Sequence, residues 1–213
     1  MTTLYLTRHG ETIWNIEKRL QGWGNSPLTE LGKKQAESLR DRLKDMKIDI
    51  IYSSPIERAY NTATIVKGEK EIQLLTHDGL KEVNFGSWEG MTLDEIGEHR
   101  EYKDQLYNLF NNPKKYTPFD GEKLNDVKER CHNAIKEILE NNKGKNILVV
   151  THGMTLKLLM LLFEEVNEDK EFLQNVMGQA TLTKIEVSDE GMYKVILRDD
   201  RSHYKKDFII KGW

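Results

Sequence analysis

Residues 3–10, TLYLTRHG, contain the pattern that decides the fold. A short run of apolar, β-prone residues passes directly into Arg8, His9 and Gly10. The stretch 147–153, ILVVTHG, repeats this arrangement and ends on His152 and Gly153. Short continuous runs of this kind are typical of strands that are buried on both faces of a parallel sheet. We therefore expect two strands that deliver a His-Gly pair to the same edge of one sheet.

The rest of the chain alternates between strand-like and helix-like segments. Further strands are predicted at residues 48–52 and, more weakly, at 72–75, and an antiparallel hairpin at 182–187 and 192–197. Helical periodicity follows Thr29, a predicted N-cap, recurs from Leu124 to Ile138, and marks Met154 to Phe163 as a buried central helix. This alternation predicts an α/β fold with a mostly parallel sheet.

Length and composition bound the class of protein. The chain has 213 residues, which suits a single domain spanning 1–213. Within it, we expect residues 83–142 to form a mostly helical cap insertion over the strand ends. A net charge of −3 argues against a nucleic-acid partner. The longest apolar run, 158–163, is too short to span a membrane, and the N-terminus does not resemble a signal peptide, so we expect a cytoplasmic protein. The single cysteine excludes an internal disulfide.

The residues that follow the predicted strands form an anion-binding set. Ligands of such sheets bind beyond the carboxyl ends of the strands, where Arg8, His9, Arg58 and His152 are expected to meet. The arginine guanidinium matches oxyanions such as phosphate. Two predicted helix starts, with Ser54 as N-cap of one and His152 before the other, would add free N–H groups.

These residue types suit phosphoryl transfer. His9 is the predicted nucleophile, since nearby arginines would keep its ring neutral. His152, Arg8 and Arg58 would stabilise charge on the phosphoryl group. Glu82 is the predicted proton donor for the leaving oxygen. Glu11 and Glu89 remain rival carboxylates for that role, because they lie in neighbouring motifs.

Five ordered blocks resemble one family. They are LTRHGETIWN at 6–15, LQGWGNSPLT at 20–29, YSSPIERA at 52–59, EVNFGSWEG at 82–90 and VTHG at 150–153. Together they resemble the histidine phosphatase superfamily, which includes the cofactor-dependent phosphoglycerate mutases.

The resemblance implies a three-layer α/β/α sandwich and a phosphorylated His9 that is then hydrolysed. It implies no metal and no cofactor. The expected substrate contacts comprise the positions that match the family's substrate site, the residues of the phosphate pocket and the glycine of the second His-Gly pair. They are Arg8, Thr12, Asn15, Gln21, Gly22, Arg58, Glu82, His152 and Gly153.

The sequence favours a phosphatase over a mutase. A mutase needs a second cationic cluster, and residues 99–121 contain no paired arginines. The pattern looks most like the broad-specificity and α-ribazole phosphatases, acting on a small phosphorylated metabolite. A phosphoglycerate mutase, a phosphoprotein phosphatase and a phosphate-sensing module stay open as alternatives, as does a homodimer. Lys123 departs from the family, since many relatives have serine there; it would either alter specificity or face solvent.

Overall fold

Six strands form one sheet in the computed structural model, which describes residues 1–164, 176–205 and 208. The strands are β1 (Thr2–Arg8), β2 (Ile50–Ser53), β3 (Gln73–Thr76), β4 (Asn146–Thr151), β5 (Leu182–Val187) and β6 (Tyr193–Asp200), in the spatial order β3-β2-β4-β1-β5-β6. β3, β2, β4 and β1 pair in parallel, whereas β5 and β6 add to β1 as an antiparallel hairpin. The predicted mostly parallel sheet is confirmed.

The two strands that end in His-Gly lie side by side. In the parallel pairing of β1 with β4, Arg8 is opposite Thr151, and the His9 amide donates to the Thr151 carbonyl at 3.0 Å. The residues that follow both strands therefore emerge at the same point of the sheet edge, as expected.

Helices cover both faces of the sheet. Among the described residues they are α1 (Ile13–Ile16), α2 (Glu30–Arg42), α3 (Glu57–Lys67), α4 (Leu93–Glu98), α5 (Lys103–Asn111), α6 (Leu124–Asn141) and α7 (Gly153–Phe163). Tyr5 and Leu148 point to the core beneath α2 and α3, while Leu4 and Leu6 point to the core beneath α6 and α7. This alternation along β1 is what a strand buried on both sides requires, and the predicted three-layer sandwich is confirmed.

Residues 83–142 are helical, with no strand among them. α4 and α5 pack against each other, and Trp88 beneath them contacts Tyr102 and Tyr116. α6, by contrast, packs along α7, and its apolar stripe lies in the core of that face. α6 is thus part of a covering layer, and the shorter helices before it add Ile96 of α4 and Leu109 of α5 to the same core cluster.

One helix start differs from the sequence prediction. α3 begins at Glu57 after Ile56, which makes no side-chain capping bond, so the prediction of Ser54 as its N-cap is wrong. The Ser54 hydroxyl instead accepts the Ile56 amide and contacts His152. The predicted cap at Thr29 is confirmed by its bond from the Gly32 amide. No helix in the described part of the chain is long and apolar enough to cross a membrane.

Candidate active site

A narrow cleft opens at the carboxyl ends of β1 and β4. Its volume is ≈ 30 Å³, and its walls contain most of the predicted site residues. The lining residues are Arg8, His9, Asn15, Arg19, Leu20, Gln21, Gly22, Arg58, Glu82, Phe85, Gly153, Met154 and Val176. The chain therefore brings four of its five predicted catalytic residues to one cavity, and the fifth, His152, lies directly behind it.

Two hydrogen bonds determine the protonation state of the His9 ring. Nδ1 lies 2.7 Å from the Gly10 carbonyl, which can only accept, so Nδ1 carries the proton. Nε2 receives the Arg58 Nε–H at 3.2 Å, so Nε2 holds the lone pair. The ring is only 2% exposed. A neutral imidazole with an unprotonated Nε2 is the form that can attack phosphorus, once the Arg58 N–H leaves that nitrogen.

The electrostatic environment maintains that neutral form. Burial lowers the pKa of His9 well below 6.5, and the positive charges of Arg58 and Arg8 lower it further. Burial likewise lowers the pKa of His152 well below 6.5, with Arg58, His9 and Arg8 acting in the same direction. Both rings are thus neutral near pH 7.

Arg58 connects His9 to the loop that precedes α2. Its Nη1 donates to the Gly24 carbonyl and its Nη2 to the Gly22 carbonyl, each at 2.7 Å, while Nε faces His9. Burial lowers the pKa of Arg58 to about 10, with the Glu82 carboxylate acting in the opposite direction. The guanidinium therefore stays charged at neutral pH. Arg58 supplies positive charge at the nucleophile and also holds the cleft wall in place.

Arg8 is the second buried cation of the cleft. Its Nη1 donates to the Met177 carbonyl at 3.1 Å, and its own carbonyl accepts the Ala180 amide. These bonds connect the end of β1 to the segment just before β5. Burial lowers the pKa of Arg8 below its ordinary value, while the Glu82 carboxylate acts in the opposite direction.

His152 lies behind His9 and does not itself line the cleft. The two rings meet edge to face with their centroids 5.3 Å apart. His152 Nε2 contacts the Ser54 hydroxyl at 2.8 Å, while Nδ1 is buried with no hydrogen-bond partner among the described residues. A buried polar atom without a partner is costly, and an anion oxygen arriving beside His9 would relieve that cost if Nδ1 carries the proton.

Glu82 lies at the N-terminus of α7. Its Oε1 accepts from the Thr155 amide at 3.0 Å and hydroxyl at 3.1 Å and from the Val83 amide at 3.0 Å. Its Oε2 accepts from the Met154 amide at 3.1 Å. A helix N-terminus is a favourable location for a carboxylate. These donors hold the carboxyl group against the cleft that contains His9.

Three of the four substrate contacts predicted in the loops line the cleft, and the fourth lies behind it. Asn15 and Gln21 line the cleft, and Gln21 Oε1 is buried without a partner among the described residues. Gly22 also lines it and has φ +53°, and a Cβ there would lie 2.1 Å from Glu89 Oε1. Thr12 is fully buried and is not in the lining; its hydroxyl donates to Asn15 Oδ1 at 3.0 Å. Thr12 thus orients Asn15.

Both His-Gly glycines are required by packing within the protein. A Cβ on Gly10 would lie 2.4 Å from the Gly32 carbonyl oxygen, and one on Gly153 would lie 2.6 Å from Val176 Cγ1. Gly153 was also expected to contact substrate, and it does line the cleft. The observed close approach at Gly10 is by α2, which packs against the loop after β1.

The rival carboxylates have other partners and do not line the cleft. Glu11 accepts the Thr29 hydroxyl at 2.8 Å, beside the start of α2. Glu89 accepts the Trp23 amide at 2.8 Å and the Gly24 amide at 2.7 Å. Glu89 therefore shapes the loop whose carbonyls hold Arg58, a role that sequence reasoning did not find. It also did not find Ser54 as the partner of His152.

The two buried neutral histidines predict that the fold loses stability in mild acid. In the unfolded chain each ring takes up a proton as the pH falls through about 6.5, whereas His9 and His152 in the folded chain do not. Between pH 7.5 and 5.5, protonation of each ring in the unfolded chain should lower the free energy of unfolding by about 1.4 kcal/mol. The two rings together should lower it by roughly 3 kcal/mol. Urea unfolding in phosphate-free buffer measures this fall. An unfolding free energy that stays constant over this range would contradict the neutral assignment.

Comparison with known proteins places the chain in a family. Residues 4–200 match the family model described as histidine phosphatase superfamily (branch 1). Bacillus stearothermophilus YhfR has a solved structure with a TM-score of 0.91 and 40% identity, over 95% of this chain and 99% of that one. The α-ribazole phosphatase of Shigella flexneri superposes with a TM-score of 0.83 and 25% identity, over 93% and 96% of the two chains. A Yersinia pestis protein named "Probable phosphoglycerate mutase GpmB" is 35% identical over 161 residues, which is 75% of this chain and 74% of that protein. The paired His-Gly strand ends, the buried arginines and this match over most of the chain show that the protein belongs to the histidine phosphatase superfamily.

Proposed function

We propose that the protein is a metal-independent phosphomonoesterase that hydrolyses small phosphorylated metabolites through a phosphohistidine at His9. The observation that carries the proposal is the His9 ring, whose protonated Nδ1 faces the Gly10 carbonyl and whose Nε2 lone pair faces the cleft arginine Arg58. The nucleophile therefore already has the reactive protonation state before substrate binds, and attack requires that the Arg58 Nε–H move from Nε2 to a phosphoryl oxygen.

In the first step, Nε2 of His9 attacks phosphorus and the P–O ester bond breaks. The leaving oxygen takes a proton from the Glu82 carboxyl group, which the proposed step requires to be protonated when substrate is bound and which the water of the second step reprotonates. Arg8 and Arg58 stabilise the charge on the phosphoryl oxygens, and His152 reaches them through Nδ1. In the second step, a water gives its proton to Glu82 and its oxygen to phosphorus. The P–N bond breaks, which releases inorganic phosphate and restores neutral His9.

The charges around the cleft favour hydrolysis over mutase chemistry. Besides Arg8 and Arg58, the described lining includes one more cation, Arg19, and it is engaged by Glu17 at 2.7 Å and by Glu95 at 3.5 Å. Lys114, Lys123 and Lys128 line a separate cavity of ≈ 360 Å³. Its wall includes Leu158 and Leu161, which lie further along α7 than the cleft residues Gly153 and Met154. This distribution supports a site for one phosphoryl group.

Of two other candidate reactions, one is favoured by a sequence relative and the other does not fit the shape of the cleft. The similarity to a protein named as a phosphoglycerate mutase favours mutase activity. A phosphoprotein phosphatase would need a site open to a docked chain, whereas this cleft is narrow and His9 is buried.

At the predicted specificity position, Lys123 is exposed as the N-cap of α6 and makes no capping bond with its side chain.

The proposal predicts phosphate release without metal. Turnover of p-nitrophenyl phosphate should be unchanged in excess EDTA, because protein cations supply the charge stabilisation. A panel of phosphorylated metabolites that includes α-ribazole phosphate and a phosphopeptide then identifies the substrate class, and a mutase assay with 3-phosphoglycerate runs in parallel. Absence of phosphate release, or activity that EDTA removes and metal restores, would contradict the proposal.

A further inference from the structure

Arg130, on α6, uses all five of its N–H donors to hold the segment that carries Glu82. Nη1 donates to the Gly79 carbonyl at 3.1 Å and the Lys81 carbonyl at 2.8 Å, and Nη2 donates to the Glu82 carbonyl at 2.7 Å. The two remaining donors, on Nε and Nη2, bind the two carboxylate oxygens of Glu122 at 2.9 and 2.8 Å. Three carbonyls within four residues thus converge on one guanidinium.

Glu122 completes this support from the other side of the segment. While its Oε1 and Oε2 bind Arg130, Oε2 also accepts the Asn84 amide at 2.9 Å. Burial acts to raise the pKa of Glu122, but the bonds from Arg130 and Asn84 outweigh it and the pKa is lowered. The carboxylate is therefore charged at neutral pH, and the pair is bidentate and only about a fifth exposed, at 22% for each side chain. Such a pair holds its geometry better than an exposed ion pair.

The Glu82 residue is consequently fixed at two points by two helices. Arg130 of α6 holds its backbone carbonyl, which also accepts the Trp23 indole N–H at 2.9 Å. Met154 and Thr155 of α7 hold its carboxyl group. The position of the carboxyl group relative to the cleft therefore depends on the distance between the segment 79–84 and α6, which Arg130 sets. A displacement of about 1 Å at a reacting group can cost roughly 10²-fold in rate.

We propose that the Arg130–Glu122 pair is a positioning device for the proton donor Glu82. This inference rests on the proposed function, because it assigns the pair to the proton-transfer part of that reaction. Neither Arg130 nor Glu122 lines the cleft. The pair acts through Glu82, and its loss should therefore impair substrates in proportion to their need for a proton on the leaving oxygen. A pair that merely stabilised the fold would affect all substrates alike.

The test is the leaving-group dependence of kcat/KM, measured on substituted phenyl phosphates that range from p-nitrophenyl to unsubstituted phenyl. Glu82→Gln removes the proton and sets the reference: its loss should be small for p-nitrophenyl phosphate and should grow, within the 10²–10⁴-fold range typical of general acids, as the leaving group becomes more basic. Arg130→Lys keeps the charge but cannot span five acceptors. It should follow the same trend, with a loss at least about tenfold larger for phenyl than for p-nitrophenyl phosphate.

Three companion measurements make the result decisive. Glu122→Gln keeps the shape but removes the charge, so it should steepen the leaving-group dependence in the same direction, and it replaces Arg130→Lys if that variant fails to fold. Lys136→Met, which removes an exposed charge from α6, should leave the dependence unchanged. The melting temperature of each variant establishes that it is folded.

The outcomes separate this inference from the proposed function. If the wild type turns over none of these esters, the proposed function fails and the inference fails with it. If the wild type is active but folded Arg130→Lys and Glu122→Gln lose the same factor on every ester, the inference alone is overturned. It is also overturned if neither variant folds, because the pair then serves the fold.

Discussion

His9→Ala is expected to lower kcat/KM for any phosphomonoester by roughly 10⁴-fold or more, to the limit of detection, while the protein stays folded. The reason is that the neighbouring His152 has no lone pair to offer to phosphorus. Its Nε2 is engaged by Ser54, and in the proposed reaction its Nδ1 carries a proton and donates to the phosphoryl oxygens. Steady-state phosphate release, with a thermal melt of each protein, measures the effect.

A matched substitution controls for the loss of a histidine. His99 is exposed, stacks on Tyr102 and lies outside the cleft lining, so His99→Ala should keep wild-type turnover. Surviving turnover in His9→Ala, above about one hundredth of the wild-type rate, would refute His9 as the nucleophile, since loss of a nucleophile costs far more than that.

Arg58→Met is expected to lower kcat by about 10²- to 10³-fold, the usual cost of removing a donor that stabilises charge in the transition state. Further losses should follow because three acceptors, the Gly22 and Gly24 carbonyls and His9 Nε2, lose their donor together. Each buried carbonyl left without a partner should cost about 1–3 kcal/mol of stability. We therefore expect lower activity, lower stability and weaker binding of inorganic phosphate in the same variant.

Two companion variants separate charge from geometry at this position. Arg58→Lys keeps the charge but not the fork that spans two carbonyls, so it should recover only part of the loss. Arg42→Met removes an exposed arginine at the end of α2 and should leave activity unchanged. An Arg58→Met protein with kcat within threefold of the wild type would contradict the role assigned to the guanidinium.

Much of the fold could be predicted because the central strands are continuous apolar runs. β1 and β4 are buried on both faces, and strands in that position read as continuous apolar runs. β3 was the weakest strand prediction, and three of its four residues are exposed at the sheet edge. An edge strand has less apolar surface to bury, so its sequence carries a weaker signal.

The site residues were predictable where they directly follow a strand. Chain order alone places Arg8, His9 and His152 at one sheet edge, because parallel strands end on the same side. Arg58 needed a further assumption about where α3 begins, and that assumption was wrong by two residues, since the N-cap is Ile56 and not Ser54. The arginine still reaches His9 because it lies in the first turn of α3, which starts beside the cleft.

The supporting contacts could not be predicted, because they join residues far apart in the chain. Arg130 and the Glu82 carbonyl are 48 residues apart, and Glu89 and the Trp23 amide are 66 residues apart. Charged side chains at these positions look like ordinary surface residues in a sequence of 31% charged residues. Arg130 and Glu89 gain a function only because α6 and the loop 22–24 pack against the segment 79–84, which carries Glu82.

The net charge of −3 likewise conceals the local electrostatics of the site. Arg8 and Arg58 are both buried, so their fields are screened less by water than those of surface lysines. Two such cations beside neutral His9 are sufficient for one phosphoryl group, and the overall charge carries no trace of them.

Covalent labelling shows whether the phosphoryl group is transferred to His9. The protein is mixed with a ³²P-labelled phosphomonoester, quenched in alkali, digested and mapped. We expect acid-labile, alkali-stable label on the peptide that contains His9, attached at Nε2 because Nδ1 is bound to the Gly10 carbonyl, and no label in His9→Ala. Turnover with no such label in rapidly quenched samples, or label on another residue or on Nδ1, would overturn the phosphohistidine assignment.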